Sequence, residues 1–405
     1  MLIRRESYLN TLRDLRDKNL IKVITGLRRV GKSTLLELFQ EDLRDSGVNS
    51  SAIITYNFED PIYRDKLDWG VLYDEISAKL DEHTMNYVFL DEVQTIPSFE
   101  RLVDGLFIKK NVDLYITGSN AFLLSGELAT LLSGRYISLN VLPLSFAEYS
   151  ELFPMTPKTE LFAEYFNASS MPEAASLSVD APNLVNKYLL DIYETIINKD
   201  VKNRYEIRDM ANFERVTKFA LDNVGNFVSS NSVAEALGAG SKNHETDISH
   251  KTVDNYLKYL TESFFMYKAD RYDIKGKKIL KTQEKYYAVD LGFRTALVGG
   301  TANADLGHKL ENLVYLELRR RNIGDIWVGK HDDNEVDFVV QNPAGERKYY
   351  QVAYTAHDAA TLERELSSFK KIRDNYPKFL ITTDIGNSTV GGILRVNVVD
   401  WLLEK

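Results

Sequence analysis

The amino-acid sequence predicts an α/β fold organised around a parallel sheet, and three observations carry that expectation. A short β-branched run, IKVIT at 21–25, leads straight into the glycine-bounded loop GLRRVGKST at 26–34. The residues after the loop place Leu35, Leu36, Phe39 and Leu43 at helical spacing. Further β-like runs recur at 52–58 (AIITYNF), 87–90 (YVFL) and 114–117 (LYIT), with helical or loop material between them. Strands that alternate with helices pair in parallel.

The loop comes first in the chain and carries the clearest chemistry. Gly26, Gly31, Lys32 and Ser33 satisfy the pattern G-x-x-x-x-G-K-[S/T], with Leu27, Arg28, Arg29, Val30 and Thr34 completing the segment. Glycines let successive backbone N–H groups turn toward phosphates, and the helix that starts near Lys32 adds its positive end. Lys32 then reaches the terminal phosphates and the Ser33 hydroxyl ligates magnesium. ATP and Mg2+ are the expected ligands.

The second half of such a site is an acidic residue at the end of a neighbouring buried strand. YVFLDE at 87–92 supplies it: Asp91 is placed to hold magnesium through water, and Glu92 to orient and deprotonate the attacking water. The run ITGSN at 116–120 ends a third strand whose tip points at the γ-phosphate in this sheet order, so Ser119 or Asn120 is a candidate to sense the phosphate or position water, with a plain turn after the strand as the alternative. Arg135, in LLSGRY, is a candidate donor of transition-state charge from this or a neighbouring subunit, with a surface ion pair as the competing reading.

Composition bounds the rest. A chain of 405 residues exceeds what one core supports, so two or three domains are expected, and 44% hydrophobic with 27% charged residues fits an ordinary folded protein. The absence of cysteine excludes disulfides and thiolate metal sites. No run approaches the length of a membrane span and the first residues lack a signal-peptide core, so a cytoplasmic protein is expected. The formal charge of -9 excludes a broadly basic surface, leaving only local patches for nucleic acid.

The segments GLRRVGKST, YVFLDEVQ, ITGSN and LLSGRY, in this order and spacing, resemble bacterial and archaeal AAA+-like ATPases that carry a C-terminal domain of unknown function, relatives of the STAND signalling NTPases. The resemblance continues through MPE at 171–173, DVKNRYEIRD at 200–209, ENLVYLEL, EVDFVV and YYQVAY. It implies an AAA+-like P-loop domain at 1–150, a linker and helical lid at 151–211, a winged-helix-like domain at 212–285, and a restriction-endonuclease-like domain, similar to the PD-(D/E)xK fold, at 286–405. The concentration of proline, serine and alanine at 154–182 reads as a connection between domains.

The residues bear on each implied part. Helices at 224–238 and 249–264, followed by two strands joined at Lys275, Gly276 and Lys277, fit a winged helix. Lys251, Lys275, Lys277, Lys278 and Lys281 would then face duplex DNA phosphates, with His250, Thr252 and Asn255 near the groove; a helical lid for protein contacts is the alternative. A nuclease of the resembled fold needs a helix glutamate, a strand acid and an acid-x-Lys. Glu311 and Asp337 match the first two, but the third reads Gln351-Val352-Ala353, with Lys348 as a displaced candidate lysine. A neutral amide and a methyl cannot perform that chemistry, so the expectation is a degenerate site serving protein or nucleic-acid contact. The whole reads as an ATP-hydrolysing switch, possible as a homo-oligomer; the alternatives are a nucleic-acid-binding module with a vestigial ATPase, or an ATP-gated nuclease.

Overall fold

The computed structural model describes residues 3–63, 67–124, 132, 134–238, 248–299, 305–321, 324–332 and 334–404. It divides into two compact units, one of residues 1–142 with 262–264 and one of 143–261 with 265–405. Among the described residues no helix is long and apolar enough to cross a membrane.

In the first unit, α1 (Glu6–Leu15) precedes β1 (Ile21–Thr25), and α2 (Lys32–Asp45) follows the loop. The chain continues through β2 (Ile53–Asn57), α3 (Trp69–Lys79), β3 (Asn86–Asp91), α4 (Phe99–Phe107), β4 (Val112–Gly118) and β5 (Tyr136–Asn140). The five strands pair in parallel in the order β2-β3-β4-β1-β5. Strands covered on both faces read as continuous apolar runs rather than alternating ones. β1 and β3 are accordingly buried throughout, and Val23, Val88, Leu90 and Ile116 share a core with Leu102 and Leu106 of α4. The fifth strand lies outside the sequence-based expectations: YISLN is half-exposed and too polar to announce itself.

In the second unit, α5 (Phe146–Glu151) opens on a Ser145/Glu148 capping box. The stretch expected as a connection is instead helical, as α6 (Lys158–Asn167) and α7 (Pro172–Asp180). Its prolines mark helix starts: Pro157 is the N-cap residue of α6 and Pro172 occupies the first turn of α7. Leu161, Phe162, Tyr165 and Phe166 make a buried stripe at helical spacing, which overrides the loop-like composition.

Next come α8 (Val185–Thr195) and a π-helical turn at Ile196–Lys202. They lead into α9 (Met210–Asp222), β6 (Phe227–Val228), α10 (Ser230–Gly238), α11 (His250–Glu262), β7 (Met266–Asp273) and β8 (Lys278–Ala288). α12 (Leu291–Val298) and the long α13 (Leu306–Arg320) precede β9 (Asp325–His331), β10 (Asn334–Gln341) and β11 (Arg347–Val352). Then follow α14 (Ala359–Ser367), β12 (Lys378–Thr382), β13 (Ser388–Val390), β14 (Ile393–Asn397) and α15 (Val398–Leu403). One mixed sheet collects nine strands in the order β13-β14-β12-β11-β10-β9-β7-β8-β6. The hairpin β7–β8 is therefore not free-standing, because β7 also pairs in parallel with β9. The sheet runs without a break through both the 212–285 and 286–405 segments.

Candidate functional site

The loop at 26–31 leaves β1 and enters α2 through two glycines that no other residue could replace without strain. Gly26 has φ 147°, and a Cβ there would lie 2.3 Å from the Val141 carbonyl oxygen. Gly31, at φ 93°, is the left-handed N-cap of α2. Leu27 and Val30 are fully buried, pinning the loop between them, while Arg29 is exposed with φ 67° and Arg28 pairs with Glu59. Thr34 continues the first turn of α2 beside Ser33.

Strand register brings the catalytic candidates together. Thr25 at the end of β1 lies beside Gly118 at the end of β4, and β4 lies beside β3, which ends at Asp91. Lys32 is 4% exposed; its ammonium donates to the carbonyls of Gly26 (3.1 Å) and Leu27 (3.2 Å) and lies 3.4 Å from Glu92 Oε1. Thr117 bridges the two acids, donating its hydroxyl to Asp91 Oδ1 at 2.5 Å and accepting the Glu92 N–H at 2.9 Å. Glu92 takes φ 54°, a left-handed conformation that a non-glycine residue adopts only where its surroundings hold it.

The two carboxyls are tuned apart. Burial raises the Asp91 carboxyl above its usual range, and hydrogen bonds from Ser33 and Thr117 offset only part of that. Burial acts in the same direction on Glu92, but the charges of Lys32 and Arg28, with hydrogen bonds from Gln94 and Ser119, outweigh it and hold Glu92 below the usual range. The balance of these effects favours the ionised form of Glu92. Ser119 and Asn120 are both buried directly after β4, and Gln94 Nε2 donates to Glu92 Oε2 (2.5 Å) and to Ser119 Oγ (3.4 Å).

Arg135 does not join this cluster. It precedes β5, whose Tyr136 pairs with Ile21 at the start of β1, so it stands at the opposite end of the strands from the loop. Four residue steps along β1 amount to roughly 13 Å. Its guanidinium bonds Asp104 at 2.9 Å.

Two contributors carry no signal in the sequence motifs. Gln94 sits within YVFLDEVQ, where its position after the strand end gives no hint of its bond to Glu92. Arg5 is 5% exposed, with Nη1 donating to the Val30 carbonyl at 3.1 Å and Nη2 to the Leu142 carbonyl at 2.8 Å, 137 residues away. It straps the loop to the exit of β5. Nothing local in MLIRRES signals this role, since both acceptors are main-chain atoms distant in sequence.

In the second unit, Glu311 of α13 and Asp337 of β10 do meet, on one wall of a cavity of about 510 Å³. Gln351 lines the same cavity, but its amide is committed to α14, donating to Glu365 at 3.1 Å and accepting from Ser368 at 3.2 Å. Lys348 does not migrate to the carboxylates; it lines a separate cavity with Arg321, Tyr350 and Trp401, because its position on β11 is of opposite parity to Gln351. The cation that does arrive is Lys285 of β8, which is 2.9 Å from Glu311 and 2.5 Å from Glu335. Burial works against its charge, but Glu311, Asp337 and Glu335 outweigh burial and raise the ammonium above its usual range. Burial, then Glu311, pushes the Asp337 carboxyl well above the usual carboxylate range.

The candidate DNA contacts separate into two places. His250, Lys251 and Asn255 are exposed on the leading turns of α11, with Thr252 half-buried. Lys275, Lys277 and Lys278 are exposed at the tip of the β7–β8 hairpin, where Lys275 pairs with Asp332 at 3.3 Å. The Lys281 side chain lies outside the described residues.

Residues 18–150 match a family described as an AAA domain, and residues 159–304 match a domain of unknown function, DUF8612. An uncharacterized protein of Haemophilus influenzae is 36% identical over 411 residues, covering 100% of this chain and 99% of its own length. One from Methanocaldococcus jannaschii is 29% identical over 374 residues, covering 87% of this chain and 78% of its own. Among solved structures, a Walker-type ATPase of Pyrococcus abyssi aligns at 15% identity and a TM-score of 0.51, over 73% of this chain and 96% of that one.

Proposed function

Because the chain belongs to the family of the Haemophilus influenzae protein, with an AAA domain at its amino-terminal end, we propose that it is an ATP-binding and ATP-hydrolysing molecular switch. The observation that carries this reading is the convergence of Lys32, Asp91 and Glu92 at adjoining strand tips, where Lys32 lies 3.4 Å from Glu92 and Thr117 bridges the two acids. The residues fit a nucleotide with magnesium: the loop glycines leave its backbone room to approach phosphate, and Ser33 already reaches Asp91. Residues 26–34 would hold the phosphates, and Ser33 and Asp91 would hold the metal. Magnesium would supply charge neutralisation at the phosphates.

This chain's own side chains do the rest. Lys32 trades the Gly26 and Leu27 carbonyls for phosphate oxygens, and Glu92 accepts the proton of the attacking water. Ser119 and Asn120 sense the γ-phosphate. Arg135, remote from its own loop, serves in trans if the protein assembles as a homo-oligomer. Lys32→Ala should abolish tight ATP binding, and Glu92→Gln should bind ATP but lose about 10²–10⁴-fold in turnover. Glu92→Gln turning over ATP at the wild-type rate would remove the assigned base.

The switch has a proposed output. The order α9, β6, α10, α11, β7, β8 supports a winged-helix reading, and α13, β9, β10, β11, α14, β12 supports a nuclease-like one without cleavage. We read the exposed lysines of α11 and the hairpin tip as weak, largely sequence-independent binders of duplex DNA. Replacing Lys275, Lys277 and Lys278 together by alanine should weaken binding across sequences alike and flatten the salt dependence by roughly one unit for each phosphate no longer neutralised. Fluorescence anisotropy on a labelled duplex decides it, and no binding at low salt would return the segment to protein recognition.

A further inference from the structure

The resembled nuclease fold implies a divalent cation between the helix glutamate and the strand acids, and the residues present do not fit one. Four carboxylates line the same cavity, Glu311, Glu335, Asp337 and Glu365, with Glu335 and Asp337 at alternate positions on one face of β10. Glu365 is engaged on the α14 side by Arg364 at 2.7 Å and by the Gln351 amide at 3.1 Å, and Gln351 in turn accepts from Ser368. Asp337 spends Oδ2 on the Val352 N–H at 2.7 Å, and Tyr287 donates its hydroxyl to Glu311 Oε1 at 2.6 Å. The same Glu311 oxygen receives the Lys285 ammonium at 2.9 Å.

Lys285 is itself 4% exposed, delivered by β8 from outside the strands that carry the acids. A lysine buried beside Glu311 and Asp337 and paired with the part-exposed Glu335 has one use that ordinary surface lysines lack: it balances charge that burial has stripped of much of its water. We infer that the Lys285 ammonium stands where a divalent cation would sit, so that Glu311, Glu335 and Asp337 form a lysine-neutralised site closed to metal. The inference rests on the nuclease-like reading only for the expectation of a metal. Its structural consequence is that the charge pair fixes β8, and with it the β7–β8 hairpin, to α13 and β10. The sequence alone hides this, because the position where the fold keeps its lysine reads Ala353.

The test uses the full chain in an Asp91→Asn background, so that the loop acid contributes no metal site, and reads Mn2+ binding by electron paramagnetic resonance of the free ion. The parent should show no binding that Glu311→Gln removes. Lys285→Met should bind Mn2+ at least about tenfold more tightly than the parent, since a unit positive charge a few Å away is gone, and Glu311→Gln added to it should cancel the gain. Thermal melts should show Lys285→Met destabilised and then raised by Mn2+, with Lys285→Gln behaving alike. Lys285→Met and Lys285→Gln that gain no Mn2+ binding overturn the inference. So does Mn2+ binding by the parent that Glu311→Gln abolishes, but that result, with DNA cleavage, would leave the nuclease-like reading standing. The comparison of the parent with Glu311→Gln does not depend on whether either Lys285 variant folds.

Discussion

Lys32 and Lys285 are both buried ammonium groups with glutamate partners, yet they are held differently. Lys32 lies 3.4 Å from Glu92 and leans on two main-chain carbonyls of a loop. Lys285 lies at 2.9 and 2.5 Å from two carboxylates, in a strand paired on both sides. A long contact to one acid, shared with weak acceptors, is cheap to exchange for phosphate. A short contact to two acids, one of them buried, is more expensive to exchange. The same residue type is thus held loosely in one unit and tightly in the other.

Neutralising one acid in each pair separates the two cases. Glu311→Gln should lower stability by about 3 kcal/mol, because it leaves buried charge partly uncompensated. Glu92→Gln should cost less than about 1 kcal/mol, since Lys32 keeps two acceptors. Urea denaturation of both variants measures the difference, and equal costs would erase the distinction. Next in size is Arg5→Ala, which removes two charge-assisted bonds from the loop strap; a loss of about 2 kcal/mol is expected, with weaker nucleotide binding as the functional readout.

A smaller effect separates the pairs by pH. The folded-state Asp337 carboxyl titrates well above its unfolded value, so the folded state holds more protons between the two values. Its contribution to stability is fully present below the unfolded value of about 3.9 and is lost as pH rises through the raised one. Denaturation series over that window should show a falling slope in the parent that Asp337→Asn flattens. Arg135→Ala should do least. Its bond to Asp104 is between half-exposed groups and is worth no more than about 0.5 kcal/mol. If the change lowers turnover, the loss should appear only at protein concentrations where subunits associate.

The contrast also explains what the sequence can and cannot reveal. Lys32, Ser33, Asp91 and Glu92 are legible because each belongs to a short run whose strand, turn and helix signals agree. Glu311 and Asp337 are legible only through resemblance, and their cation is not, since Lys285 reaches them from a strand 26 residues before Glu311. Arg135 belongs to a motif in sequence but precedes the start of β5, at the end of the strands away from the loop, which only the parallel register with β1 reveals. The stretch at 154–182 misleads for a different reason: its prolines, breakers by composition, stand where helices start.

The Arg5 strap gives the first unit a timetable. Its guanidinium needs the carbonyl of Leu142 as well as that of Val30, so a nascent chain that has already made the whole phosphate loop still cannot close it. Synthesis proceeds at roughly 5–20 residues per second, which puts on the order of ten seconds between the loop's emergence and its closure. Through that interval the ribosome-bound chain would present a loop not yet strapped, and the nucleotide could bind properly only once β5 had been translated and had cleared the exit tunnel.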